Sequence, residues 1–181
     1  MMIEPEIASV YANALFELAC ETESLEEISI DLLSVIDIFE KNPDFLNLLS
    51  VPNIGTAEKI DTIKKVFGED GGIILNFLCL LTEKNRIFCI SEIGSEFKKL
   101  YNNYNDIEEV TVTTCIPLTE DSRNRLIVKL QNKLGKRIKL IENINPDIMG
   151  GVKLSYGDTL IDNSIASRID DLSKELKKNN I

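Results

Sequence analysis

Asn145–Leu176 reads NPDIMGGVKLSYGDTLIDNSIASRIDDLSKEL, and this stretch decides the fold of the C-terminal part of the chain. The glycine pair Gly150-Gly151 allows a bend or a close backbone approach, and Gly157-Asp158 is typical of a tight turn. Apolar and polar residues alternate around that turn, and Ser164 is a suitable N-cap for the segment after it. The stretch therefore predicts a strand, a turn, a second strand and a capped helix. The apolar stripe of that helix is Ile165, Ile169, Leu172 and Leu176.

The residues just upstream complete a small α+β domain. Residues 107–116 alternate with period two, which predicts a strand, and Pro117 ends it. Thr119 is placed to cap a helix that Gly135 would stop, and residues 138–144 predict another strand. We therefore expect a C-terminal α+β domain at residues 106–181, with about four strands and two helices.

Residues 1–105 have a helical period instead. The predicted helices are 6–20, 24–41, 43–50, 56–67, 73–84 and 86–104. Ser24 and Glu27 have the spacing of a capping box, and Pro43 suits a first helical turn. The fold class is α+β overall: an N-terminal all-α six-helix bundle at residues 1–105, then the small α+β domain.

Two of these helices carry more apolar surface than one buried face requires. The helix at 6–20 has only a narrow polar stripe, and residues 73–81 are apolar around the full circumference. A bundle of about 100 residues leaves much of its surface wet, so complete burial of both helices is difficult. Two interpretations stay open: a central core helix, or a surface that docks a partner.

The composition of the chain argues against a membrane-spanning, secreted or nucleic-acid-binding protein. The chain has 181 residues, 44% of them hydrophobic, with no apolar run long enough to span a membrane. Its beginning, MMIEPEIASV, is acidic where a signal peptide is basic, so we expect a cytoplasmic location. The net charge of −10 lies entirely in residues 1–105, which contain 8 basic and 18 acidic residues. An acidic surface keeps a protein soluble and disfavours nucleic acid, and it also suits a neutral or basic protein partner.

Residue types that carry chemistry are sparse. The chain has no histidine, its four cysteines form no CxxC pair, and neither glycine pair has a phosphate-loop context. A basic face at residues 123–139 lacks interleaved aromatic residues. We expect a binding protein without a catalytic centre, cofactor or metal.

Three stretches together resemble one family. YANALFELA (Tyr11–Ala19), NRIFCISEIGSEFKKL (Asn85–Leu100) and the opening stretch are similar to the delta subunit family of the bacterial F-type ATP synthase. The mitochondrial counterpart is the oligomycin-sensitivity-conferring protein. The most specific part is the order of Gly150-Gly151, Gly157-Asp158 and Asp162-Asn163-Ser164, followed by Arg168. The resemblance covers essentially the whole chain.

The resemblance implies a non-catalytic stator subunit, peripheral on the cytoplasmic side of the cell membrane. Such a subunit ties the catalytic alpha/beta hexamer to the b subunits of the peripheral stalk. Its helical domain receives the N-terminal helix of an alpha subunit, and its C-terminal domain meets the b subunits.

We combine this implication with the two surplus apolar helices and expect them to form the groove for the alpha helix. The candidate groove residues are Tyr11, Ala14, Leu15, Leu18, Ile74, Phe77, Leu78 and Leu81. Some of these residues must belong to the core. Replacing Tyr11 or Leu78 by Asp is expected to abolish binding of an alpha N-terminal peptide and to leave helix content intact.

Two other function classes remain as alternatives. One is a cytoplasmic two-domain adaptor or regulator without a role in energy coupling. The other is an RNA-binding module that uses the basic face of residues 123–139, and salt-sensitive retention of RNA would support it.

Overall fold

A computed structural model describes residues 5–51, 54–68, 72–148 and 150–169 of the chain. The chain divides into two compact units, Met1–Asn102 (unit 1) and Asn103–Ile181 (unit 2). The division falls inside a helix, so the predicted domain boundary at residue 105 stays a proposal.

Unit 1 is helical, as the apolar spacing predicts. Its helices are α1 (Pro5–Glu21), α2 (Leu25–Lys41), α3 (Pro43–Ser50), α4 (Thr56–Phe67), α5 (Gly72–Glu83) and α6 (Ile90–Tyr104). A 3₁₀ turn at Ile87–Cys89 precedes α6. The α-helix predicted from residue 86 therefore begins at Ile90, four residues later. No helix among the described residues has the length and apolar character needed to cross a membrane.

The core of unit 1 is one continuous apolar cluster to which each of its helices contributes. Phe39, Ile63, Leu78 and Phe97 are among its most completely buried side chains. Gly94 permits a close contact there, since a Cβ at this position would overlap the side chain of Ile36. At this point in the bundle a small residue accommodates a large one, as dense packing requires.

The predicted capping box at the start of α2 is wrong. Ser24 makes no side-chain capping bond to the helix. Its hydroxyl instead lies 2.5 Å from that of Thr22. The Ser24 hydroxyl therefore forms a hydrogen bond with Thr22 and does not accept one from the backbone N–H groups of α2.

Unit 2 contains a four-stranded sheet in the order β2-β1-β3-β4. Its elements are β1 (Ile107–Thr114), α7 (Glu120–Leu134), β2 (Arg137–Ile144), β3 (Val152–Tyr156) and β4 (Thr159–Asp162). β1 is parallel to β2 and antiparallel to β3. α7 connects the parallel pair, and the Gly157-Asp158 turn joins the antiparallel β3 and β4.

The caps of unit 2 follow the sequence prediction. The backbone N–H of Ser122 donates to the Thr119 hydroxyl at 3.3 Å, and Gly135 ends α7 with φ of +69°. Ser164 accepts from the N–H of Ser167 at 3.3 Å, and residues 165–169 are helical. Leu172 and Leu176, predicted to extend the apolar stripe of that helix, lie outside the described residues.

The glycine pair closes unit 2 by letting two backbone segments touch. The N–H of Ile165 donates to the Gly150 carbonyl at 3.0 Å, and that of Asn163 donates to the Val152 carbonyl at 3.0 Å. Gly151 has φ of +89°, and a Cβ there would lie 2.4 Å from the carbonyl oxygen of Asn163. Only glycine meets both conditions without strain.

The Asp162 side chain fixes the segment at Asn163 and Ser164, which lies against Gly151. Its carboxylate accepts from the backbone N–H of Ser164 at 2.9 Å and pairs with Lys153 at 3.0 Å. The hydrogen bonds from Ser164 lower the pKa of Asp162 to about 2, and Lys153 lowers it further. The Asp162 carboxylate therefore has structural partners, as cap chemistry requires.

We expect Gly151→Ala to destabilise the protein by about 2 kcal/mol or more, because the methyl group adds a backbone overlap to an unfavourable φ. Chemical denaturation followed by circular dichroism measures this change. The matched control is Gly55→Ala, since Gly55 has φ of −62° and open space around its Cβ position. Equal stability of the Gly151→Ala variant and the wild type would contradict the close-approach role.

Candidate functional site: an apolar groove between α1 and α5

An open apolar groove of about 490 Å³ lies between α1 and α5. Nine residues line it, and Asn76 is the polar member among them: Val10, Tyr11, Ala14, Leu15, Leu18, Ile73, Asn76, Phe77 and Leu80. On α1 the outer ridge is Val10, Ala14 and Leu18, spaced one helical turn apart. Leu18 and Leu80 each keep 41% of their surface exposed, so apolar side chains face solvent on both walls.

Tyr11 joins the two walls of the groove. Its ring meets Phe77 edge to face, with the ring centroids 6.3 Å apart and the planes at 69°. The guanidinium carbon of Arg86 lies 5.7 Å from the centre of the Tyr11 ring. An Arg86 N–H also approaches the Tyr11 hydroxyl at 3.4 Å. These contacts hold the tyrosine in place, so the groove wall is preformed.

The eight predicted groove residues separate into two groups. Tyr11, Ala14, Leu15, Leu18 and Phe77 line the groove. Ile74, Leu78 and Leu81 are buried on other sides of α5 and do not line the groove, and the last two are completely buried. A helix with apolar residues on every side gives no sequence signal for which side its neighbours cover.

The expectation that Leu78→Asp would leave the fold intact therefore does not agree with the structure. A carboxylate at a fully buried position would have no hydrogen-bonding partner, and its desolvation would destabilise the bundle. Tyr11 is half-buried and in the groove, so it remains a valid test position.

Four groove residues were absent from the prediction: Val10, Ile73, Asn76 and Leu80. Val10 could have been found, because it lies one turn before Ala14 and extends the ridge toward Leu18. Ile73, Asn76 and Leu80 could not have been found from the sequence, because their place in the groove depends on which side of α5 faces α1.

Neither metal binding nor thiol chemistry gains support. Among the described residues, no three His, Cys, Asp or Glu side chains cluster to hold a metal. Burial raises the pKa of the Cys79 and Cys89 thiols, whereas a reactive cysteine needs a lowered pKa. These cysteines pack as small apolar side chains.

The basic face of unit 2 is largely paired. Arg123 bonds Glu142 and Glu120, Lys136 bonds Glu108 at 2.9 Å, and further ion pairs involve Arg125 and Lys139. The hydrogen bond to Glu108 raises the pKa of Lys136. Cations already paired with carboxylates are less available to neutralise phosphates and displace the counterions of a nucleic acid, which weakens the RNA alternative.

Comparisons with known proteins identify the family of the chain. The family model described as ATP synthase delta (OSCP) subunit matches residues 7–176. The chain belongs to this family. Two relatives named ATP synthase subunit delta, from Clostridium perfringens and Clostridium botulinum, are each 36% identical over 169 residues. Each match covers 93% of this chain and 94% of the relative.

A solved structure agrees with the family assignment. A chain of the Toxoplasma gondii mitochondrial ATP synthase hexamer has a TM-score of 0.70 and 25% identity to this delta-family chain. The match covers 93% of this chain and 96% of the other. Delta-family proteins are non-catalytic subunits of the peripheral stalk of the F-type ATP synthase, so this chain is a stalk subunit without a reaction of its own.

We expect truncation to separate the two groups on α5. Leu78→Ala should cost about 2–5 kcal/mol of unfolding free energy, because it leaves a cavity in the core. Leu80→Ala on the groove wall should cost about 1 kcal/mol or less. Urea denaturation of the two variants measures the difference, and equal losses would contradict the division into core and groove.

Proposed function

We propose that this delta-family chain ties the catalytic alpha/beta hexamer to the b subunits of the stalk by docking an alpha-subunit N-terminal helix in the α1–α5 groove. The observation that carries this proposal is the groove, whose apolar walls stay exposed beside a complete core. Contiguous exposed apolar surface of this kind marks an interaction site.

The shape of the groove suits a helix. The ridge from Val10 to Leu18 spans about 12 Å at 1.5 Å per residue, which corresponds to roughly two helical turns. An amphipathic helix presents apolar anchors at i, i+3, i+4 and i+7 over the same distance. The Tyr11–Phe77 contact keeps the walls preformed, so little ordering is needed on binding.

The free energy of burying several apolar side chains suits a contact that must resist torque. Each buried Leu, Ile or Phe anchor contributes about 1.5–3 kcal/mol, and association costs about 4–15 kcal/mol. Several anchors together with the exposed groove side chains are therefore needed for a long-lived complex. A stator requires long residence times, because the rotor turns many times against it.

Unit 2 is proposed to meet the b subunits of the stalk. In support, Ile165 and Ile169 lie one helical turn apart with 47% and 56% of their surfaces exposed. An exposed apolar stripe of this spacing suits another helix. The whole assembly would place the chain at the cytoplasmic face of the cell membrane, held there through its partners.

We expect Leu18→Asp to weaken binding of an alpha N-terminal peptide about tenfold or more, because a charge would be buried against the peptide's apolar face. Isothermal titration calorimetry measures the affinity. Leu33→Asp is the matched control, since Leu33 is an exposed leucine on α2 away from the groove. Equal affinity of the Leu18→Asp variant and the wild type would contradict the groove proposal.

The link to the stalk is tested with the full chain. A tagged chain should retain both alpha and b subunits from membranes of its own organism, and Leu18→Asp should reduce the alpha signal. Recovery of neither subunit would contradict the stator proposal and favour the two-domain adaptor.

A further inference from the structure

Unit 1 contains a second cleft, of about 260 Å³, between α2, α4 and α5. It opens beside a different set of α5 residues from those of the groove. Its walls are mainly apolar and its mouth carries two polar side chains: Asp31, Ser34, Val35, Ile38, Phe67, Ile74, Leu75 and Leu78 line it.

The polar groups at the mouth are hydrogen-bond acceptors. The Ser34 hydroxyl donates its hydrogen to the Ile30 carbonyl at 2.9 Å, which leaves its lone pairs available. The Asp31 carboxylate accepts only, and no hydrogen bond or ion pair engages it within the part of the chain that the structure describes. A ligand that brings a hydrogen-bond donor to the mouth of the cleft finds acceptors there.

The three helices around the cleft together carry a net negative charge, because α2 contributes −4, α4 contributes +1 and α5 contributes −1. Five carboxylates and one lysine lie on α2, and that lysine, Lys41, is paired with Asp37 at 2.6 Å. A helix with this balance raises the local concentration of cations and repels anions.

The size of the cleft limits the ligand. An apolar cavity of about 150 Å³ holds a benzene molecule. The larger cleft has room for one ring with a short chain, and Phe67 offers an aromatic surface for that ring.

From these observations we propose that the α2–α4–α5 cleft binds a small organic ammonium ion, with an aromatic or branched apolar body inside and the ammonium group at Asp31. This proposal is independent of the stalk function, because it uses neither the groove residues nor any partner subunit.

The probe is phenethylammonium, titrated into the isotopically labelled full chain at low salt and followed by backbone amide chemical shifts. We expect saturable shifts at Val35 and Leu75, with a dissociation constant on the order of millimolar for so small a ligand. Phenylacetate, which has the same ring and the opposite charge, should give no saturable shifts there.

Asp31→Asn and Ser34→Leu test the roles of the carboxylate and of the mouth of the cleft. Asp31→Asn should weaken binding about threefold, the range of an exposed ion pair, while Asp37→Asn on the same helix should leave it unchanged. Ser34→Leu fills the mouth from an exposed position and should abolish binding, with thermal unfolding checking that the fold is kept.

Several outcomes would overturn the proposal. They are absence of saturable shifts, equal binding of phenylacetate, shifts confined to the groove residues Leu18 and Leu80, equal effects of the two Asn variants, and full binding by Ser34→Leu. A failed alpha-peptide titration combined with phenethylammonium binding at Val35 would contradict the stalk proposal alone.

Discussion

The burial of α5 is the constraint on which unit 1 depends. Ile74, Leu75, Leu78 and Leu81 are buried, and they place α5 among its neighbours. A short helix that is apolar on all sides is difficult to enclose completely in a bundle of this size. Its remaining side therefore faces the outer ridge of α1, and the α1–α5 groove results from the same apolar surplus that builds the core.

The groove is a candidate binding surface whose lining contains no charged side chain. Its walls combine small and large apolar residues, from Ala14 to Phe77, with one amide from Asn76. The contacts of Tyr11 with Phe77 and Arg86 stiffen these walls. A preformed apolar surface loses little conformational entropy when a helix covers it, which suits a subunit whose contacts must persist under load.

Unit 2 uses a different physical device. Its closure depends on two backbone segments that approach more closely than a side chain permits, at Gly151 and Asn163. Asp162 then fixes the start of the following helix through Ser164 and Lys153. The most distinctive residues of the chain therefore maintain the architecture of unit 2, while the groove of unit 1 is built from common aliphatic and aromatic residues.

The sequence by itself determined the elements that depend on local chemistry. The change of apolar period separated the helical part from the strands, and Thr119, Gly135 and Ser164 marked helix ends, because capping and left-handed turns are decided within a few residues. The order of motifs in Asn145–Leu176 also identified the family. Ser24 was the exception, because the nearby Thr22 hydroxyl engages its side chain.

Only the tertiary structure decided which apolar residues line the groove and which belong to the core. Leu78 and Leu80 are two positions apart on one apolar helix, yet the first is in the core and the second on the groove wall. The same packing paired the basic residues of unit 2 with carboxylates from other elements, such as Lys136 with Glu108. The physical reason is that burial and pairing depend on neighbours distant in sequence, whereas caps and turns depend on neighbours along the chain.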